Sequence, residues 1–199
     1  MIMAKHIYQL KIQLMDIKPP IWRRVMVASD TTLADLHDVI QSSMGWEGYH
    51  LHQYHIKGDF YGEPNQDLDW DDVKDESKYK LNKIFKSEKD HILYEYDFGD
   101  SWRHKVTLEK VLAFDETKAL PTCVKAERAC PPEDCGGVWG YEGMLETLDN
   151  PDDPEREEMI EWLGGEFDPE YVDLAEINSQ LAFLGGYAKK AKELLNEAE

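Results

Sequence analysis

The sequence lacks a long hydrophobic run. No stretch approaches the ~20 apolar residues of a membrane span, which excludes a simple helical membrane protein. The N-terminus has no apolar signal region and no small-residue cleavage site, so the expected location is intracellular, the cytoplasm. Cysteine is scarce: the three in 199 residues are an odd number, which argues against a secreted disulfide framework. Cations are scarce too, with 22 Lys and Arg against 41 Asp and Glu and a net charge of −19. The deficit is uneven. From Glu127 to Glu176 two arginines face 17 acids, whereas residues 1–57 carry six cations and five acids. Affinity for nucleic-acid backbones rests on Lys and Arg displacing counterions, so this charge argues against direct nucleic-acid binding. Anionic membrane surfaces are disfavoured for the same reason. The partners that fit are cationic, a basic protein segment or a metal ion, beside the plainer role of a solubilising surface. Motifs are missing as well. There is no phosphate loop with Gly-Lys-Ser/Thr, no dinucleotide fingerprint, no nucleophile elbow and no His-Glu-x-x-His.

What is present reads as strands first and helices later. Tyr8, Leu10, Ile12 and Leu14 alternate with Gln9, Lys11 and Gln13, the period of a strand with one buried face. Asp16 to Pro20 breaks the pattern, and Ile21 to Val27 resumes it as the second strand of a hairpin. Thr32 and Asp35 fit a capping box, Leu33, Leu36, His37, Ile40 and Met44 form one helical stripe, and Gly45 suits the residue after the helix. His50 to Ile56 predicts a strand with His50, His52 and Tyr54 on one face. His91–Asp97 and Trp102–Val111 predict a hairpin about Gly99-Asp100, a two-residue turn with Gly first. That register pairs Asp97 with Trp102 and Glu95 with His104, and puts Leu93, Glu95, Asp97, Trp102, His104 and Val106 on a single face. Helical segments follow at Tyr141–Leu148, Pro154–Leu163 and Leu174–Leu184, with Asp153 and Asp173 as caps and a short last helix after Gly185-Gly186. The fold class is α+β: a β-grasp-like ββαβ(ββ) sheet packed on one helix, then a helical lobe. Residues 1–112 make the β-rich core and 113–199 the Cys/Pro/Gly loop and acidic lobe, packed as one continuous domain.

The chemistry-bearing residues gather in two places. Cys130-Pro131-Pro132-Glu133-Asp134-Cys135-Gly136-Gly137 is a loop shaped by proline and glycine, and it places two adjacent carboxylates. With Cys123 it supplies three thiols that could hold zinc beside a His or carboxylate, although the spacing matches no standard finger. Small buried thiols are the competing reading. The second group comprises His50, His52, Asp97, Asp100, Trp102 and His104, over which Glu133 and Asp134 could fold. Histidine with carboxylates is the ligand chemistry of a divalent metal whose bound water becomes a nucleophile. A polar network that fixes strand register and loop position is the alternative. In Trp22-Arg23-Arg24 the two arginines point to opposite faces, and Arg24 is placed to stack on Trp or pair with an acid.

Several blocks together resemble one family: Pro19-Pro20-Ile21-Trp22-Arg23-Arg24, Leu33 to His37, Gly45-Trp46 with His50-Leu51-His52, and Tyr96-Asp97-Phe98-Gly99-Asp100-Ser101-Trp102 with His104. Cys130 to Gly137 with Gly140-Tyr141, and Phe167-Asp168-Pro169-Glu170, continue the series in order. The chain resembles the Ri-plasmid ORF-three-like family, met on plasmids and as a passenger gene of transposable elements, over roughly residues 5–184. The resemblance implies an α+β fold of its own and an intracellular setting, with no catalytic residues to carry over. Two functions fit. One is an accessory or binding protein of plasmid or mobile-element genes that engages a cationic partner. The other is a metal-dependent hydrolase of a phosphoester or nucleic-acid substrate.

Overall fold

The computed structural model describes residues 5–64 and 72–184. The short last helix expected after Gly185-Gly186 lies outside the described residues. The strands are β1 (His6–Leu14), β2 (Trp22–Ala28), β3 (His52–Ile56), β4 (Asp59–Gly62), β5 (Val73–Asp75), β6 (His91–Tyr96), β7 (Trp102–Ala113) and β8 (Thr122–Glu127). They form one sheet in the order β5-β4-β3-β6-β7-β1-β2-β8, antiparallel except for β4 with β5. The helices are α1 (Leu33–Met44), α2 (Leu81–Ile84), α3 (Gly137–Asp149) and α4 (Arg156–Leu163), with a 3₁₀ turn at Glu76–Lys78. Residues 174–184 are also helical. The architecture is α+β. No helix among the described residues is long and apolar enough to cross a membrane.

Alternation makes β1 an interior strand of the sheet with one buried face. Leu10, Ile12 and Leu14 are buried, and β1 pairs with β2 on one side and β7 on the other. Helix α1 lays Leu33, Leu36, Val39, Ile40 and Met44 into the core. Its start is the expected capping box: Asp35 N–H donates to Thr32 Oγ1 at 3.1 Å and Thr32 N–H to Asp35 Oδ2 at 3.0 Å. Gly45 ends it with φ 96°. Asp173 caps the helical residues 174–184, accepting from the N–H of Ala175 at 2.7 Å and of Glu176 at 3.2 Å. Helix α3 begins four residues before the expected Tyr141, and α4 two residues after Pro154.

Two differences from the sequence reading matter for the site. The acidic stretch after Asp59 contains strands β4 and β5, and β8, from the part of the chain after residue 113, adds an edge to the sheet. The β6–β7 register is one residue from that expected: Tyr96 faces Trp102, Glu95 faces Arg103 and Tyr94 faces His104. The turn is a five-residue loop rather than two, because Asp97 and Ser101 both take positive φ (56° and 55°) and Ser101 N–H donates to Asp97 O at 2.6 Å. The slip exchanges faces. Ile92, Tyr94, Tyr96, Trp102, His104 and Val106 are buried, while Glu95 lies on the other face with Gln53 and Ser101.

Candidate metal centre

Three side chains from three segments converge. His50 precedes β3, Asp97 follows β6, and Asp134 lies in the Cys130–Gly137 loop. One ligand atom from each falls within 4.8 Å of the others. His50 Nε2 is 3.0 Å from Asp134 Oδ1 and 3.8 Å from Asp97 Oδ2. Nε2 is shielded from solvent and makes no hydrogen bond, so the 3.0 Å approach lacks the alignment of an N–H···O contact. The three atoms are thus close to one another without a hydrogen bond from Nε2 to either carboxylate.

Backbone conformation makes the convergence. Asp97 (φ 56°) and Asp134 (φ 58°) both occupy the left-handed region, where a non-glycine residue is uncommon and strained positions cluster at functional sites. Asp97 N–H donates to Leu51 O at 2.9 Å, which ties the hairpin turn to the segment bearing His50. Asp97 Oδ1 accepts from Gly99 N–H at 2.9 Å, leaving Oδ2 toward His50.

The loop is docked by residues that do not themselves reach the centre. Gly136 N–H donates to Asp100 Oδ2 at 3.1 Å. A Cβ on Gly137 would lie 2.5 Å from Asp100 O, so only glycine permits this approach. Trp46 Nε1 donates to Pro131 O at 2.9 Å. Glu133 accepts a short hydrogen bond from the Tyr96 hydroxyl and another from Glu47 N–H at 3.2 Å. Burial and the Glu133 carboxylate both hold the Tyr96 hydroxyl well above its ordinary pKa, so it stays protonated and donates.

The remaining candidates go elsewhere. His52 does not share a site with His50. Its Nε2 meets both oxygens of buried Glu76 at 3.0 and 3.1 Å, and its ring stacks on His37 at 3.6 Å. His37 is held neutral, its pKa lowered to about 3 by burial and the neighbouring His52. These rings and His50 line a cavity of about 590 Å³. Trp102 and His104 are core residues, 1% and 0% exposed. The three thiols do not form a group at ligand distance among the described residues. Burial raises the pKa of Cys123 and pushes Cys130 and Cys135 up to about 12. Sequence reasoning missed Glu76, His37 and Tyr96. Tyr96 alternates with Tyr94 and was legible in period, but Glu76 sits in an acidic stretch that offers no pattern.

His104 gives an acid-sensitivity prediction. Nδ1 lies 3.0 Å from Trp102 O and so carries the proton, while Nε2 is buried without a partner. Burial lowers its pKa to about 3, against about 6.5 in the unfolded chain. Above that unfolded value neither state binds the proton. Below it the unfolded chain takes up a proton the folded site refuses, so stability falls as pH drops from about 6.5 toward about 3, by about 1.4 kcal/mol per pH unit. His37 acts in the same sense. His104→Leu is expected to flatten the slope of unfolding free energy against pH by about that amount. Equal slopes for variant and wild type would show that His104 titrates normally.

The chain is similar to proteins of unknown function. The uncharacterized protein y4hQ of Sinorhizobium fredii is 30% identical over 194 residues, 96% of this chain and 98% of that protein. A crystal structure of a protein of unknown function, MM3350 from Methanosarcina mazei, superposes with a TM-score of 0.80 at 42% identity, covering 87% of this chain and 98% of that one. The sequence pattern of the plasmid pRiA4b ORF-3-like proteins matches residues 6–176. With the fold shared and the matched span taking in every segment that builds the centre, the chain belongs to the plasmid pRiA4b ORF-3-like protein family.

Proposed function

We propose that the protein is a metal-dependent hydrolase with one divalent cation held by His50, Asp97 and Asp134. The observation that carries this is the approach of His50 Nε2 to two carboxylates with no hydrogen bond made. One imidazole and two carboxylates suit zinc or manganese. Three protein ligands leave positions for water, as in catalytic rather than structural sites. Side-chain exposures of 32% at His50 and 70% at Asp134 leave the centre open to a substrate. A neutral imidazole and two carboxylates balance a divalent ion, and the ion would lower the pKa of its water enough to make a nucleophile at neutral pH. Surrounding acids repel a long polyanion, so a small phosphoester fits better than nucleic acid.

Calorimetric titration of metal-free protein with Mn²⁺ or Zn²⁺ is expected to show one ion per chain, with His50→Ala weakening affinity at least tenfold. Loaded protein is expected to hydrolyse bis(p-nitrophenyl) phosphate, and the variant is not. Binding without turnover would leave a metal-holding protein and sink the hydrolase reading.

The second reading is an accessory protein of plasmid or mobile-element genes that engages a cationic partner. It is supported by the excess of acids from Glu127 to Glu176 and by Trp139, Trp162 and Tyr171 standing exposed there.

A further inference from the structure

A cleft of about 430 Å³ opens beside Asp134, between the Cys130–Gly137 loop with α3 on one side and α4 on the other. Met144 lines one wall. Glu155, Glu158, Met159 and Trp162 line the other, spaced so that they share one face of α4 and the residue before it. No lysine, arginine or histidine lines it. Trp162 is 51% exposed, and α4 buries none of its residues. Neither Glu155 nor Glu158 is in an ion pair among the described residues. Arg156, the one cation of this helix, is turned to other work: Nε donates to Leu148 O at 3.0 Å and Nη2 lies 3.7 Å from Glu166.

We propose that this cleft binds a cationic side chain, arginine or lysine, of a partner polypeptide. An indole face attracts a cation through its quadrupole. Two carboxylates one turn apart supply the counter-charge and accept its hydrogen bonds. The Met159 thioether offers an adaptable apolar surface for the alkyl stem, backed by the nearly buried Met144. A divalent ion at the metal centre neutralises Asp97 and Asp134 but leaves both glutamates charged, so the cleft keeps its sign whether or not the centre is filled. The surrounding acids draw a basic segment toward it. The inference rests on the reading of this protein as one that engages a cationic partner, and it places that engagement.

The test is calorimetry at low salt, in metal-free buffer, with an N-acetylated peptide bearing three arginines and a matched peptide bearing three glutamates. Wild type is expected to bind the first and not the second. Trp162→Ala and the double variant Glu155→Gln/Glu158→Gln are each expected to lose at least tenfold in affinity. The charge-matched double variant Glu88→Gln/Glu116→Gln, away from the cleft, is expected to lose less than threefold. If the two double variants weaken binding equally, the protein attracts cations diffusely and the cleft assignment falls while the broader reading stands. If wild type binds neither peptide, both fall.

Discussion

Arg23→Ala is expected to cost about 3–5 kcal/mol of folding free energy, a large share of the 5–15 kcal/mol typical of a domain. Arg23 is 2% exposed and lies on the core side of β2. Among the described residues no carboxylate pairs with it. Its guanidinium instead donates to four carbonyls: Nε to Ser43 O at 2.8 Å, and Nη1 to Trp22 O at 3.0 Å, Glu127 O at 3.1 Å and Arg128 O at 2.9 Å. These bonds tie the end of α1 to the end of β8, from which the Cys130–Gly137 loop departs. Alanine would leave several of these acceptors buried without donors and open a void. Lysine would recover little, because a point charge cannot reproduce the planar fork. Arg24 is the control. It lies on the other face, bonded to Glu109 at 2.5 and 2.8 Å and stacked on Trp22 at 5.0 Å. Arg24→Ala is expected to cost about 1 kcal/mol. Urea unfolding checks both, and an Arg23→Ala protein within about 1 kcal/mol of wild type would contradict this account of the clamp.

Gly140→Ala is expected to cost about 3 kcal/mol and to weaken metal binding at least tenfold. A Cβ at Gly140 would lie 1.9 Å from Cys135 O and 2.8 Å from Cys135 C. Both atoms are backbone, so no side chain can swing aside. Either the first turn of α3 opens, breaking the Gly140 N–H to Gly136 O bond of 3.1 Å, or the loop carrying Asp134 moves. Gly143, in the same helix, meets nothing within 4 Å. Gly143→Ala is expected to stabilise the protein by up to about 1 kcal/mol, because alanine favours helix over glycine. Thermal melts of the two variants, read with their metal titrations, test the pair. Equal melting temperatures would show that the loop tolerates the displacement.

The sequence was most legible where one local rule decided the outcome. The Thr32–Asp35 cap, the Gly45 stop, the α1 stripe and the β1 alternation all follow from neighbours within one element. The β6–β7 hairpin was misjudged because Gly99-Asp100 satisfies a two-residue turn, while the chain spends five residues to aim Asp97 at His50. Strands β4, β5 and β8 carry little hydrophobic signal and exist through pairing, which sequence spacing does not display. Three members of the centre were among the candidates, yet so were eight others, three of them cysteines. Sorting them needed tertiary contacts: Asp100 and Glu133 hold the loop, His52 turns to Glu76, and Trp102 and His104 fill the core. In the Cys-Pro-Pro-Glu-Asp-Cys-Gly-Gly run the backbone presents Asp134, while the two half-buried thiols pack against the core.

The most direct test of the metal centre is anomalous diffraction from crystals of the wild-type protein grown with Mn²⁺ or Zn²⁺, recorded at the metal's absorption edge. The account predicts one strong peak about 2.0–2.5 Å from His50 Nε2 and from a carboxylate oxygen of each of Asp97 and Asp134. No peak there, or a peak at the cysteines or at His52 and Glu76 instead, would contradict it.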